Sequence, residues 1–198
     1  MDLATMIQFM DSKGVATAAQ MKEAGFAPAL IAYALKTGAI AKLTRGVYCS
    51  LDVLEDDFAA VTMRWTRCVL SYASALYLNG LSDRIPSSLD VTVPHGYNPR
   101  SLRVDFPDIV VHRVPEELHS IGIATIRDPM GIMVRCYDAE RSLADLLRQR
   151  TKEGADPQLV RDAVRGYFTR KTKDLPKLMR TCEALGVGSE LQTYLEVL

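Results

Sequence analysis

The chain has 198 residues, of which 48% are apolar and 24% are charged, and its 24 basic residues balance 24 acidic ones. Such a composition is globular and leaves room for one or two domains, each large enough to bury a core. No apolar stretch approaches the roughly twenty residues that cross a bilayer, and the opening sequence MDLATM has none of the features of a secretory signal. We therefore expect a cytoplasmic protein that makes no membrane contact.

The first forty residues predict three short helices, each followed by a glycine. These glycines stand where the end of a helix favours left-handed backbone angles: Gly14, Gly25 and Gly38. Thr17 and Gln20 have the spacing of a capping box, which satisfies free backbone donors at the start of the second helix. Pro28 fits the first position of the third helix, because that position needs no backbone donor.

The third predicted helix turns one row of side chains outward, and a hairpin follows it. The outward row consists of Ala29, Ala32, Tyr33 and Lys36, because apolar residues at positions 30, 31, 34 and 35 form the buried stripe. Residues 42–48 alternate like two strands around a three-residue turn that places Gly46 at its left-handed position. Two short helices and a basic hairpin in this order predict a winged helix–turn–helix, a DNA-binding motif.

Double-stranded DNA is therefore the expected ligand of the N-terminal region. The predicted DNA-binding residues are charged or face outward in these elements: Lys13, Lys22, Ala29, Tyr33, Lys36, Lys42, Thr44 and Arg45. Five Lys or Arg stand against three Asp or Glu in the first fifty residues, which predicts moderate, salt-dependent attraction to phosphate. The outward face has few side chains that read base edges, so sequence readout should be modest. A small helical bundle with ordinary surface lysines, or a helix–turn–helix that contacts protein, is the alternative.

The rest of the chain predicts a second, larger domain after an acidic loop at residues 52–57. Residues 58–78 have helical periodicity, and three β-branched runs predict strands at residues 88–94, 108–115 and 132–137. Asp138 fits the cap of a helix, from which the chain continues helical. The predicted fold class is α+β, with an N-terminal winged helix–turn–helix over residues 1–54. A mixed α/β domain over residues 55–198 follows, with a small sheet in the 88–137 region and a helical bundle over 138–198.

Basic residues are unevenly distributed along this second domain. Residues 141–180 carry eleven Lys or Arg against five Asp or Glu, whereas residues 51–140 are acidic. An ordinary solvated surface is one interpretation, and a surface that binds a polyanion or a partner protein is the other. The candidate basic surface consists of Arg148, Arg150, Lys152, Arg161, Arg165, Arg170, Lys171, Lys173, Lys177 and Arg180.

No catalytic, cofactor or metal site is predicted. The four cysteines form no Cys-x-x-Cys pair and the three histidines share no helical spacing, so buried free thiols are expected instead of a metal centre. Asp90 on a predicted strand is the closest approach to a nuclease site, but no Glu-x-Lys follows it. The polar residues after Asp138 suit a helix cap and an Arg141–Asp145 pair better than an active site.

With these segments identified, the chain resembles the AbiEi family of antitoxins from type IV toxin–antitoxin systems, first associated with abortive phage infection. Four segments in this order carry the resemblance over nearly the full length: a helix–turn–helix ending in LTRGVY, then ALYLNGLSDRIPSSLDVTVPHGY, VVHRVPEELHSIGI and VRCYDAERSLADLLRQRTKEG. Many relatives have basic residues along the recognition helix, where this chain has Ala29, Ala32 and Tyr33.

The resemblance implies a bifunctional protein. Its N-terminal domain would bind inverted repeats before its own operon and repress it, and its C-terminal domain would counter a nucleotidyltransferase-like toxin without a stable complex. We expect a monomer in solution, with two or more copies on DNA. The alternatives are a stand-alone winged-helix regulator whose C-terminal domain senses a ligand or partner, and a nuclease with a winged targeting domain.

Overall fold

The computed structural model describes residues 1–53 and 56–195, which form two compact units. The N-terminal unit comprises Met1–Thr66 together with Arg127–Val134, and the C-terminal unit comprises Arg67–Ile126 and the chain from Arg135 onward. The domain boundary predicted between residues 54 and 55 lies outside the described residues. Within those residues, no helix is both long enough and apolar enough to span a membrane.

The N-terminal unit is built from four helices and a three-stranded antiparallel sheet. In chain order these are α1 (Leu3–Lys13), β1 (Val15–Thr17), α2 (Ala18–Glu23), α3 (Pro28–Lys36), β2 (Ala41–Thr44), β3 (Val47–Cys49) and α4 (Asp57–Arg64). The strand order is β1-β3-β2. The strand β1, which lies between α1 and α2 in the chain, pairs with β3 and adds a third strand to the hairpin of β2 and β3. This is the winged helix–turn–helix predicted from the sequence, with β1 added.

The predicted helix boundaries in this unit are confirmed by their capping contacts. Thr17 Oγ1 accepts from the backbone N–H of Gln20, and the Gln20 side chain accepts from the backbone N–H of Thr17. Pro28 occupies the first turn of α3. All three glycines after the helices have positive φ, and an added Cβ at Gly14 would lie 2.2 Å from Ile132 Cδ1.

The core of the N-terminal unit is formed by apolar side chains from all three helices of the motif. Its buried members are Met6, Met10, Ala16, Met21, Phe26, Ile31, Ala34 and Ile40. Phe9 packs against Phe26 with ring centroids 5.3 Å apart. Burying these side chains contributes a stabilising free energy of about 25 cal/mol per Å² of apolar area. This burial stabilises the short helices, which would be only marginally stable in isolation.

Residues 58–78 do not form the continuous helical region that their periodicity predicted. They divide into α4, which belongs to the N-terminal unit, a short strand β4 (Val69–Leu70) and a helix α5 (Tyr72–Leu78). Cys68, Val69 and Leu70 are fully buried in succession. Three consecutive buried residues need apolar cover on both faces, which the centre of a sheet supplies.

The C-terminal unit contains a five-stranded sheet and a helical bundle. After β4 and α5 come β5 (Asp90–Pro94), α6 (Arg100–Asp105), β6 (Val110–Val114), α7 (Glu116–His119), β7 (Ile123–Arg127) and β8 (Met133–Tyr137). The bundle consists of α8 (Ala139–Glu153), α9 (Pro157–Thr169), α10 (Leu175–Ala184) and α11 (Gly188–Leu195). The strand order is β6-β5-β4-β8-β7, and both β5–β6 and β4–β8 are parallel. The three predicted strands are confirmed with shorter bounds, and β4 and β7 were not predicted.

A buried ion pair lies at the start of the bundle. Asp138 caps α8 by accepting from the backbone N–H of Arg141, and Arg141 Nε donates to Asp145 Oδ2 at 3.0 Å. Arg141 Nη1 also donates to the carbonyl oxygens of Leu118 and Ile121, and its guanidinium carbon lies 4.2 Å from the centre of the Tyr137 ring. The predicted pair is therefore confirmed, and it connects α8 to the segment after α7.

Two buried carboxyl groups face each other in the N-terminal unit. Asp56 caps α4 through Oδ1, and Asp128 Oδ1 accepts from the backbone N–H groups of Met130 and Ile132. The Oδ2 atoms of both residues are buried and receive no hydrogen bond from an N–H or hydroxyl group of the described residues, so a carboxyl proton is the donor left to join them. The pKa of Asp56 is raised to about 7, mainly because the carboxyl group is buried and also because it forms a hydrogen bond with Asp128. The Asp56 carboxyl therefore keeps its proton up to about pH 7 and shares it with Asp128 in that hydrogen bond.

This shared proton predicts a pH-dependent stability of the N-terminal unit. Because the pKa of Asp56 is higher in the folded chain than the 3.8 of an ordinary Asp, its contribution is full below about pH 4 and is lost as the pH rises through about 7. We expect the free energy of unfolding to fall by about 2–4 kcal/mol over that range. Urea unfolding followed by the fluorescence of Trp65, which lies in this unit, measures it.

The matched variant for this prediction is Asp56→Asn. Its amide can cap α4 as Asp does and can donate to Asp128 at any pH, so the fall in stability should largely disappear. The same fall in Asp56→Asn as in the unchanged chain would show that other groups cause it.

Candidate nucleic-acid interface

Helix α3 presents the outward face that the sequence predicted. Ile31 and Ala34 are buried, whereas Ala29, Ala32, Tyr33 and Lys36 are exposed, and 54% of Tyr33 is accessible. The exposed part of the Tyr33 ring is accessible to a ligand. It can stack on a sugar or lie against a thymine methyl group, and Lys36 in the last turn can reach a phosphate.

The wing carries two exposed cations at its end. Arg45 and Gly46 alone connect the paired residues Thr44 and Val47, so the turn is one residue shorter than predicted, and a register shift between Lys42 and Thr44 accommodates the extra residue. Gly46 has φ +78°, the left-handed conformation that the turn requires. Lys42 and Arg45 are exposed, and Thr44 is half-buried.

Helix α4 supports the wing through a contact that the sequence did not reveal. Arg64 Nη1 donates to Thr44 Oγ1 at 2.7 Å, and the Arg64 guanidinium carbon lies 4.2 Å from the ring centre of Trp65. Trp65 is buried and fixes this arginine against the unit. Arg64 is twenty residues from Thr44, and no local pattern links the two positions.

Lys13 and Lys22 lie outside the pair of elements formed by α3 and the wing. Both are exposed and both stand in the last turn of their helices, α1 and α2, where a cation also complements the negative end of the helix dipole. They can add attraction to phosphate at the edge of the interface without contacting bases.

The candidate basic surface of the C-terminal unit is less uniform than its sequence indicates. Lys177 Nζ lies 2.8 Å from Asp138 Oδ2 and 3.4 Å from Glu140 Oε2, and the hydrogen bond with Asp138 raises the pKa of Lys177. Arg170 donates to the carbonyl oxygen of Asn79. These two side chains join parts of the C-terminal unit to each other. The exposed members are Arg150, Lys152, Arg161, Arg165, Lys171, Lys173 and Arg180, and Arg148 is half-buried.

Asp90, the residue considered for nuclease chemistry, is bound to a histidine. His112 Nε2 lies 2.7 Å from Asp90 Oδ1, and Tyr72 stacks on the His112 ring with centroids 3.8 Å apart. Among the described residues, no group of three or more His, Cys, Asp or Glu could hold a metal ion. The four cysteines are buried and free, and burial raises the pKa of both Cys68 and Cys182 to about 12.

The exposed face of α3 and the basic wing supported by α4 together have the arrangement of a winged helix–turn–helix. Residues 7–50, which end after β3, match the model of the family described as transcriptional regulator, AbiEi antitoxin. The match confirms the resemblance over this segment and supports a regulator role.

The other comparisons are less specific. The search of curated proteins found no match. The crystal structure of the RV2827C protein from Mycobacterium tuberculosis is similar with a TM-score of 0.48 and 16% sequence identity, covering 98% of this chain and 79% of that chain.

Proposed function

We propose that the chain is the antitoxin of a type IV toxin–antitoxin system and represses its own operon. Repression would occur by binding inverted repeats in double-stranded promoter DNA. The observation that carries the DNA-binding part is the pairing of an exposed recognition helix with a basic wing inside the segment that matches a regulator family.

The proposed DNA contacts fall into two groups. Lys36, Lys42 and Arg45 hold phosphates, with Lys13 and Lys22 at the margin, and Ala29, Tyr33 and Thr44 lie closer to the groove. Contacts to phosphate give affinity and position, whereas base edges give sequence preference. Because α3 offers only Tyr33 and small side chains to the bases, recognition relies on the spacing of two half-sites more than on each half-site.

An inverted repeat has two half-sites and therefore binds two copies of the winged helix–turn–helix. We propose that the chain is a monomer in solution and that two or more copies assemble on the DNA. A gel-mobility titration of the DNA upstream of the reading frame should then show two successive complexes, the second lost when one half-repeat is scrambled. A single complex that is insensitive to the repeat would contradict this assembly.

The antitoxin part of the proposal assigns residues 1–54 to DNA and residues 55–198 to counteraction of a nucleotidyltransferase-like toxin, without a stable complex. The exposed cations of the basic surface provide the positive potential that would compete for an acidic target. Arg170 and Lys177 are left out of this surface because they already hold internal partners. A stand-alone regulator is the second candidate, and a toxin-like reading frame beside the gene would favour the antitoxin.

Reversing three exposed charges of the basic surface tests the antitoxin part. We expect Arg165→Glu, Lys171→Glu and Arg180→Glu together to abolish rescue of cells that express the neighbouring toxin, while repression of a reporter under the upstream DNA is retained. The matched control is Arg100→Glu with Arg103→Glu, two exposed cations on α6 of the same unit, and it should rescue fully. Full rescue by the triple variant would remove this surface from the proposal.

A further inference from the structure

A cavity of about 410 Å³ lies among three helices of the C-terminal bundle. Leu147, Arg150 and Thr151 line it from α8, and Glu190, Thr193 and Tyr194 line it from α11. Each set has the spacing i, i+3 and i+4, so each occupies one face of its helix. Arg161 of α9 completes the wall. The volume lies within the range of roughly 300–1,000 Å³ that is typical of small-molecule sites.

The two guanidinium groups in the wall, those of Arg150 and Arg161, have neutral hydrogen-bond acceptors. Arg150 donates to the Tyr194 hydroxyl, and Arg161 Nη2 donates to the side-chain oxygen of Gln158 at 2.7 Å, and both of these acceptors are neutral. Among the side chains that the structure describes, neither arginine forms an ion pair with a carboxylate. Guanidinium groups bind phosphate through paired, charge-assisted hydrogen bonds.

The remaining wall suits the other parts of a nucleotide. Leu147 is 1% exposed and forms an apolar floor, and the Tyr194 ring stands beside it for stacking. Among the described lining residues Glu190 is the carboxylate, and Thr151 Oγ1 and Ser189 Oγ donate to it at 3.4 and 3.0 Å. A carboxylate in this position accepts from ribose hydroxyls or an exocyclic amine.

We infer that this cavity binds a nucleoside phosphate, with Arg150 and Arg161 on the phosphate, Leu147 and Tyr194 on the base, and Glu190 on the sugar or base edge. The inference does not depend on the DNA-binding proposal, since none of the proposed DNA contacts lines the cavity, whereas Arg150 and Arg161 also belong to the basic surface of the antitoxin proposal.

Isothermal titration of the full chain with adenosine 5′-monophosphate, adenosine and inorganic phosphate tests the inference. We expect the nucleotide to bind with a dissociation constant on the order of 10–100 µM, and adenosine and phosphate to bind at least about tenfold more weakly, because each engages only part of the wall. No binding of the nucleotide at millimolar concentration, or equal binding of phosphate alone, would overturn it.

The matched variants are Arg161→Ala and Arg165→Ala, which remove neighbouring exposed cations from the same helix, only the first of which lines the cavity. Arg161→Ala should weaken nucleotide binding by about tenfold or more, and Arg165→Ala should leave it unchanged. Tyr194→Leu should weaken binding while Tyr194→Phe largely preserves it. An equal loss of nucleotide affinity in Arg165→Ala would show diffuse charge attraction and would overturn the inference. A loss of nucleotide affinity in the variant that combines Lys42→Ala with Arg45→Ala would place the nucleotide on the wing and would also overturn it.

Discussion

Replacing Lys42 and Arg45 together by alanine is expected to weaken binding to promoter DNA by about ten- to a hundred-fold near 0.1 M salt. Both side chains are exposed, Arg45 in the turn of the wing and Lys42 on β2. Each phosphate contact adds about 0.9 to the slope of log affinity against log salt, so the slope should fall by about 1.8. Gel-mobility or fluorescence-anisotropy titrations at several salt concentrations measure both quantities.

The control for the wing removes the same charge elsewhere. Arg100→Ala with Arg103→Ala takes two exposed cations from the C-terminal unit and should change neither the affinity nor the slope appreciably. An unchanged slope in the wing variant, or the same fall in both variants, would show that the wing does not contact phosphate.

Arg64→Ala separates the position of the wing from its charge. The change removes the hydrogen bond from Arg64 to Thr44 Oγ1 and so weakens the contact between α4 and the wing. If Arg64 acts only by positioning, affinity should fall several-fold while the salt slope keeps its value. Thr44→Val removes the other half of the contact, and the two changes together should cost little more than either one, because they delete the same interaction.

Arg141→Ala is expected to destabilise the C-terminal unit by about 3–5 kcal/mol. Arg141 is fully buried, and its loss leaves Asp145, itself 1% exposed, as an uncompensated carboxylate. Burial already raises the pKa of Asp145, and the arginine opposes that shift. The carbonyl groups of Leu118 and Ile121 would also lose their donor. Urea unfolding followed by far-ultraviolet circular dichroism measures the change.

Two further variants show whether the charge or the packing of Arg141 matters. Arg141→Met with Asp145→Leu removes both charges, fills the space with apolar groups and should recover part of the lost stability. Lys152→Ala, at an exposed position of the same helix, should change stability by less than about 0.5 kcal/mol. A double variant as unstable as Arg141→Ala would show that the carbonyl contacts dominate.

The capping and periodicity of the first fifty residues were sufficient to predict the N-terminal motif. Capping boxes, helix-ending glycines and the first-turn proline act over three or four residues, so the helix boundaries that they set can be predicted from the local sequence. The outward row on α3 and the basic wing followed from the same local patterns. The Asp138 cap and the Arg141–Asp145 pair were predictable for the same reason.

Contacts between distant residues were not predictable. The strands β1, β4 and β7 are too short or too irregular to show a period, and they exist because neighbouring strands supply their hydrogen bonds. The helical period over residues 58–78 predicted one helical region and was wrong, because Cys68, Val69 and Leu70 are buried on both sides within the sheet, and that burial does not show in the local sequence. The basic residues of 141–180 looked alike in sequence, yet Lys177 and Arg170 are held by internal partners while Arg150 and Arg161 face a cavity.

By itself, the sequence determined the winged helix–turn–helix, its exposed reading face and the caps of its helices, because these depend on interactions across one helical turn or one hairpin. The tertiary structure alone decided that Arg64 braces the wing, that Asp56 meets Asp128, and which cations remain available to a ligand. These contacts depend on the burial and desolvation of groups that are far apart in the sequence and close in the fold, and no local spacing of residues encodes that burial.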